Sequence, residues 1–454
     1  MNGLTESLAR FAEAASRAEV PPAAAQIIRT GVIDNIGTML AGRNEPVVDI
    51  LRRHVASRKS SADEASVLLD LGRAFAADAA LINGTSAHAL DYDDVALSGH
   101  PSTVLVPALL AEGEAIGASG IDLMRAYLAG YEVWAELIGR DAGSYHLKGW
   151  HPTAVFGTVG GAAAVACLRK LDFPVCRNAI AIAASMAGGL VANFGTMTKP
   201  FHAGHAASSA IEAARLAMLG LTSASDVIEH HAGFLAALSP SGEIDVARPA
   251  GKLGKELKIL DSGLSIKRYP VCYSTHRTID AVIDCAAREN IAPEKVASVH
   301  AWIGVAQASM LRNHAPVTGL EAKFSLEFGV ASALVARNVG LAQLNDAFVN
   351  DERIRNLMQK VSISTTERLC PVDQAFAFTD RVEIRLDDGR TIDSGEIRFA
   401  RGNAKLPLTE AELGTKFRDC LSGVPGVNAG ALYDRLSRLE DISDLRTLAA
   451  FGKG

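Results

Sequence analysis

Apolar positions recur every three to four residues through roughly the first 260 residues, which predicts one helix after another. Leu4, Leu8, Phe11 and Ala15 share a face of the first. Ile28, Val32, Ile36 and Leu40 form the stripe of a second, with Pro22 at its start and Gly42 just past its end. Further helices are expected over 73–84, 102–116, 122–140, 153–170, 175–191 and 204–219. Several carry Ala or Gly on more than one face, which lets helix axes approach closely. Near residue 268 the period changes. Residues 296–305 alternate and are rich in Val, Ile and Trp, and 361–364 is a second short strand candidate. Arg381–Leu386 and 390–397 flank Asp387-Asp388-Gly389, a hairpin signal. Helices over 275–289, 320–337 and 351–360 lie among these strands. After Lys405-Leu406-Pro407 the helical period returns, with Thr409 and Glu412 spaced as a capping box.

Composition sharpens this. The 454 residues are 48% hydrophobic but only 6% aromatic, with 40 Gly, which favours packed helices over sheet. The length is a soft prior for two or three domains. A net charge of -6 without a basic run argues against nucleic acid as a partner. The first residues lack a continuous apolar segment, so no secretory signal is expected. Two Ala- and Gly-rich stretches, 155–168 and 179–194, contain Thr, Ser or Asn and read as buried helices rather than membrane spans. The six cysteines are widely spaced, fit no zinc pattern, and suit free thiols in the cytoplasm.

The chemistry concentrates in four segments. His88-Ala-Leu-Asp91-Tyr-Asp93-Asp94 runs on to His100-Pro101 and joins two helices; the plain alternative is a solvated loop with a capping Asp. Tyr145-His146-Leu-Lys148-Gly149-Trp150-His151-Pro152 places His151 at the positive end of a helix that Pro152 can start. Thr198-Lys199-Pro200-Phe201-His202 with His205 offers an anion contact, and its His-x-x-His spacing is a weak metal signal without a third ligand. Lys267-Arg268-Tyr269-Pro270 with Cys272, Tyr273 and His276 lies where the composition switches. Cys272 has no specific partner that would mark it as a nucleophile, and Lys323 reads as structural or solvated. Dinucleotide, P-loop and serine-hydrolase motifs are missing from the sequence. Imidazoles and lysines in helix-start loops suit acid–base work on a small anion.

At these residues the sequence resembles the MmgE/PrpD family, which includes 2-methylcitrate dehydratases, cis-aconitate decarboxylases and iminodisuccinate epimerase. The matching blocks run in order: Gly84 to Asp94 with Gly99-His100-Pro101-Ser102, Gly149-Trp-His151-Pro-Thr153, Thr198-Lys199-Pro-Phe-His202-Ala-Gly204, Lys267-Arg-Tyr-Pro with Thr275-His276, and Ala322-Lys323-Phe-Ser-Leu. The resemblance implies a mainly α fold: a large all-helical bundle domain from both chain ends (1–267 and 406–454) with a smaller α+β domain inserted (268–405). It implies a homodimer, a site between the domains, and no metal or organic cofactor. It puts His100, His151, Lys199 and Lys267 at active-site positions, with Asp91 an acidic member of that site.

The resulting expectation is proton handling next to a carboxylate of a small di- or tricarboxylate. Lys199 and Lys267 would bind carboxylates and stabilise enolate-like charge. One of His100 or His151 would take the α-proton, the other or Tyr145 would return one, and Asp91 would orient an imidazole. Arg268, His202 and Tyr273 complete the expected substrate contacts. The leading expectation is a hydro-lyase of the 2-methylcitrate dehydratase type. An epimerase of a dicarboxylate such as iminodisuccinate is the alternative, followed by a cis-aconitate decarboxylase, a non-catalytic binding protein, and a metal hydrolase using His202 and His205. Val95 stands where decarboxylase-type members resemble one another in having Thr, and Tyr145-His146 inverts the family's more usual order.

Overall fold

A computed structural model describes residues 3–69, 71–371 and 376–452. The chain is mainly α, and by its internal contacts it forms two compact units, 1–264 with 409–454, and 265–408.

In the larger unit the helices that matter for the site are α1 (Leu4–Ala15), α2 (Pro22–Ala41), α3 (Pro46–Ser57), α4 (Ala76–Ala89), α5 (Ser102–Ile116), α6 (Gly120–Ile138), α7 (Tyr145–Lys148), α8 (Pro152–Leu168), α9 (Phe173–Met186) and α10 (Thr198–Met218). The unit is not wholly helical: Ala65–Ser66 (β1) and Arg73–Ala74 (β2) pair antiparallel. Every residue of α8 is buried, and α8 packs on α5, α6, α9 and α10. A helix apolar on all sides belongs inside a bundle. The tightest approach is between α4 and α10. A Cβ on Gly204 would collide with the Leu81 carbonyl and the Thr85 hydroxyl, and one on Gly84 would lie 2.9 Å from the Gly204 Cα. Glycine at both positions lets the two axes close, and this draws the end of α4 toward the start of α10.

Some element ends differ from expectation. Gly42 follows α2 as anticipated, but its φ of -78° is available to any residue. Its lack of a side chain serves packing, since a Cβ there would strike the Ser86 carbonyl of α4. α9 ends at Met186 rather than near 191. Ala187-Gly188-Gly189 leaves the helix, and the following backbone pairs with the segment before α8: His151 N donates to Gly189 O (3.0 Å) and Val191 N to Gly149 O (2.9 Å). α10 starts at Thr198, six residues before the expected point. Pro200 lies in its first turn, where its missing N–H has no helical partner to lose.

In the smaller unit Val296–Gly304 (β3), Val361–Thr366 (β4), Arg381–Leu386 (β5) and Thr391–Asp393 (β6) form one sheet in the order β4-β3-β5-β6, with β3–β4 parallel and the rest antiparallel. Helices His276–Arg288 and Leu326–Ala336 share its core. The single helix expected over 320–337 is two, Gly319–Ala322 and Leu326–Ala336. Ser325 restarts it by accepting from Phe328 N (3.2 Å). The boundary places Lys267 in this unit rather than with the helical part. No disulfide joins the six cysteines among the described residues, and all six are buried. Among the described residues no helix is long and apolar enough to cross a membrane.

Candidate active site

The site in the larger unit is built on the loop between α4 and α5. Three of its non-glycine residues, Asp91, Leu97 and Ser98, have φ between 50° and 55°. That left-handed backbone costs on the order of 1 kcal/mol or more per residue and persists only where surroundings impose it. Here they do. His100 N donates to Thr153 Oγ1 on α8 (3.2 Å). Lys416, on helix Glu410–Leu421, donates to the Tyr92 carbonyl (2.7 Å), lies 4.0 Å from the Tyr92 ring centroid, and pairs with Asp34 of α2 (2.5 Å). Lys416 escaped the sequence reading. The signal was a charged residue on a helix face that also carries Leu413, Phe417 and Cys420.

The strained loop separates its carboxylates. Asp91 Oδ1 accepts from Lys199 Nζ (2.6 Å), and both groups are buried. The orienting carboxylate is Asp93. It lies 3.0 Å from His88 Nδ1 and 2.9 Å from His100 Nδ1, with no exposure of its own. Burial alone would raise the Asp93 pKa, but the two rings more than offset this and hold it well below the carboxylate range. Asp94, one residue on, goes the other way. Burial, reinforced by Asp93 and Asp34, raises its pKa well above the usual value.

The acceptors around His100 fix its tautomer. Its Nδ1 faces the Asp93 carboxylate and the Asp94 carbonyl (2.8 Å), and neither can donate. Nδ1 therefore carries a proton, and Nε2 is the nitrogen left for chemistry. The same argument applies to His88, whose Nε2 is buried without a hydrogen-bond partner among the described residues. Burial lowers the His88 pKa to about 3 despite Asp93.

His151 is the N-cap residue of α8 and fully enclosed. Burial, then His88, Lys199, His100 and His146, keep its pKa well below normal. Its ring lies 5.9 Å from His88, 6.4 Å from His100 and 4.9 Å from Phe194 between centroids. Its Nδ1 is 3.1 Å from His202 Nδ1 on the first turns of α10. Burial, with His205 and Lys199, lowers His202 to about 4.

Tyr145 is not part of this cluster. Its ring packs edge-on against Phe156 (4.8 Å), and its buried hydroxyl has no hydrogen-bond partner among the described residues. Burial raises its pKa, which makes it a poor proton donor. The adjacent His146 stands there instead, 6.5 Å from His151 and 6.1 Å from Phe194, with its pKa lowered to about 4 by burial. A one-residue shift on the short helix α7 exchanges the two side chains, and the inverted Tyr-His order was the signal in the sequence.

Among the described residues one group, His88, Asp93 and His100, brings three metal-ligating atoms within 4.8 Å of one another. His202 and His205 are not in this group; His202 is engaged with His151.

In the smaller unit Lys267 and Lys323 are buried. Tyr273 Oη accepts from Asn403 Nδ2 (3.0 Å), and its ring lies 4.9 Å from His276. The Arg268 guanidinium lies 5.8 Å from the Tyr269 ring. Cys272 is buried, with its backbone N donating to Lys323 O (2.8 Å).

Comparison with known proteins adds to this geometry. Residues 6–247 match the MmgE/PrpD N-terminal domain and residues 269–432 the MmgE/PrpD C-terminal domain. The chain is 31% identical over 395 residues to a cis-aconitate decarboxylase of Homo sapiens, covering 83% of this chain and 79% of that protein. It is 30% identical to the Mus musculus protein of that name (83% and 78% covered) and 27% to one from Aspergillus terreus (81% and 77%). Two family domains in order and relatives matched over most of their length lead to one conclusion: the chain belongs to the MmgE/PrpD family.

Proposed function

We propose that this protein is a lyase that moves a proton at a carbon next to a carboxylate of a small polycarboxylate, and that its reaction is decarboxylation of a cis-aconitate-like acid. The observation that supports this is the buried gathering of Lys199 with the rings of His88, His100, His151 and His202 around a carboxylate-fixed loop. Burial keeps His88, His151 and His202 neutral. An entering polycarboxylate sets negative charge against them and favours their protonation. The anion thus recruits the proton that decarboxylation consumes. The bonding pair of the breaking C–C bond stays on the α-carbon as carbon dioxide leaves, Lys199 stabilises the developing charge, and an imidazole N–H closes the carbon. The relatives' names support decarboxylation as the reaction.

A second reading rests on Val95. With the decarboxylase-type Thr missing, the same rings would act in reverse: a neutral imidazole takes the α-proton, which then goes to a leaving hydroxyl or back to the opposite face of the carbon. Lys267, Arg268 and Tyr273 enter either reading from the sequence alone, and the homodimer by resemblance alone.

Incubation with citrate-like and imino-dicarboxylic acids in deuterated water decides the reaction. Loss of carbon dioxide with uptake of one deuterium supports decarboxylation. Loss of water means a hydro-lyase, and α-deuteration without mass loss means an epimerase. No change in any acid would sink the enzyme reading. His151→Gln, with the fold retained, is expected to lower turnover by about 10²- to 10⁴-fold; undiminished turnover removes His151 from the mechanism.

A further inference from the structure

We infer that Phe194 is a positioning residue of this site, whose ring holds the Lys199 ammonium against its face and the His151 imidazole at right angles to it. The inference rests on the functional reading above, in which Lys199 and an imidazole act on one substrate carbon. It extends that reading to what keeps the two groups in register.

Three groups of the site meet on this ring. Lys199 Nζ lies over it, 5.3 Å from the Phe194 centroid, and 2.6 Å from Asp91 Oδ1. A lysine ammonium is a point charge on a flexible stem. The hydrogen bond to Asp91 fixes one of its N–H directions. The negative face of an aromatic ring adds a restraint on another side without consuming a hydrogen bond. The His151 ring stands 4.9 Å from Phe194 at 81°, and the His146 ring 6.1 Å away at 71°. One half-buried side chain therefore touches the ammonium and two imidazoles at once.

The backbone brings the ring there. Phe194 lies between α9 and α10, and each end of this segment is tied to one of the two groups. Before it, His151 N donates to Gly189 O (3.0 Å), Val191 N to Gly149 O (2.9 Å), and Phe194 N to Val191 O (2.9 Å). After it, Gly195 has a φ of 84° and open space where a Cβ would stand, so glycine serves the turn rather than the packing. Thr196 O then accepts from Lys199 N (3.2 Å) as α10 begins. These are main-chain bonds, and they are made whatever side chain stands at 194. An apolar residue of similar size would fill the same space. The ammonium over the ring is what singles out an aromatic face.

The test alters the face of the ring and keeps its shape. Fluorinated phenylalanines, placed at 194 by stop-codon suppression, withdraw charge from the ring face with little change in bulk. A stepwise fall in kcat/KM is expected as fluorines are added, reaching about 10-fold at the pentafluoro ring. Activity indifferent to fluorination overturns the inference. Phe194→Leu keeps the apolar bulk without the face and is expected to lose about 10-fold or more, since a misplacement of about 1 Å can cost about 100-fold. Phe194→Tyr is expected to stay within about 3-fold of the wild type. A leucine variant as active as the tyrosine variant means that the ring fills space only, which also overturns the inference. NMR of lysine-labelled protein reads the contact without any substrate. The side-chain methylenes of Lys199 are expected upfield of an ordinary lysine, by the ring current, and to return to the ordinary position in Phe194→Leu. A wild type without that shift overturns the inference even with full activity. A shift with every acid inert leaves the contact standing and fails the functional reading alone.

Discussion

Two pairs of imidazoles meet in this site, and they are held in opposite ways. His88 and His100 grip one buried carboxylate, Asp93. His151 and His202 grip each other, with no carboxylate between their facing nitrogens. The carboxylate pair has its tautomer dictated: both Nδ1 atoms must donate. The bare pair holds a single proton that either nitrogen can carry. The same residue type is thereby made rigid in one place and exchangeable a few ångströms away.

The largest expected effect comes from erasing the difference. Asp93→Asn puts an amide N–H₂ where only acceptors stood, forcing one ring to accept at Nδ1. Turnover is expected to fall by on the order of 10³-fold or more through the wrong tautomer, as judged by steady-state kinetics. Loss of the buried charge should also cost about 3 kcal/mol in denaturant unfolding. Near-normal turnover would show that the tautomer of His100 is not used. Gly204→Ala leaves both pairs chemically intact but pushes α10 from α4, hence Lys199 and His202 from His88. A cost of about 1–3 kcal/mol is expected, with turnover reduced in step; an unchanged Tm means the helices do not need that closeness. Lys416→Met removes the prop beneath Tyr92 and leaves Asp34 buried without this partner. It should destabilise strongly while reducing turnover only several-fold, because it touches neither pair directly, and Lys416→Arg should recover part of the stability.

The smallest effect is a slope. His202 has a folded-state pKa of about 4, below that of an unfolded histidine near 6.5. Between these values the unfolded chain binds the extra proton, so this contribution to stability is complete above about pH 6.5 and is lost as pH falls toward 4. Thermal midpoints measured across that window should fall more steeply for the wild type than for His202→Gln. Equal slopes would mean that His202 is charged in the native protein.

Much of this was legible along the chain. Histidines and carboxylates crowded between apolar helices stood out, as did a His followed by Pro at a helix start and the lysine before Pro200. Their partners were not legible. Asp91 and Asp93 differ only in which way a strained backbone turns them. Tyr145 and His146 differ by one step on a four-residue helix, and the spacing of either suits a site. The ends of α9 and α10 depended on contacts made elsewhere: the backbone pairing of 189–191 with 149–151, and a proline tolerated in a first turn. Helix existence follows from local period, whereas the approach of the end of α4 to the start of α10 follows from two glycines, Gly84 and Gly204, that allow distant helices to touch.

The hold of Lys416 on the loop has a consequence for the order in which the protein comes into being. The hydrogen bond to Tyr92 O spans 324 positions of sequence, and the whole of the smaller unit is synthesised between its two ends. A nascent chain can assemble α1 to α10 long before the lysine that props the loop leaves the ribosome. Until then Asp34 is buried without that charge opposite it, and the three left-handed residues lack one of their restraints. The loop between α4 and α5 would thus be among the last parts of the larger unit to set, and a chain stalled or clipped before residue 416 would carry Asp91, Asp93 and His100 on a loop not yet fully held in place.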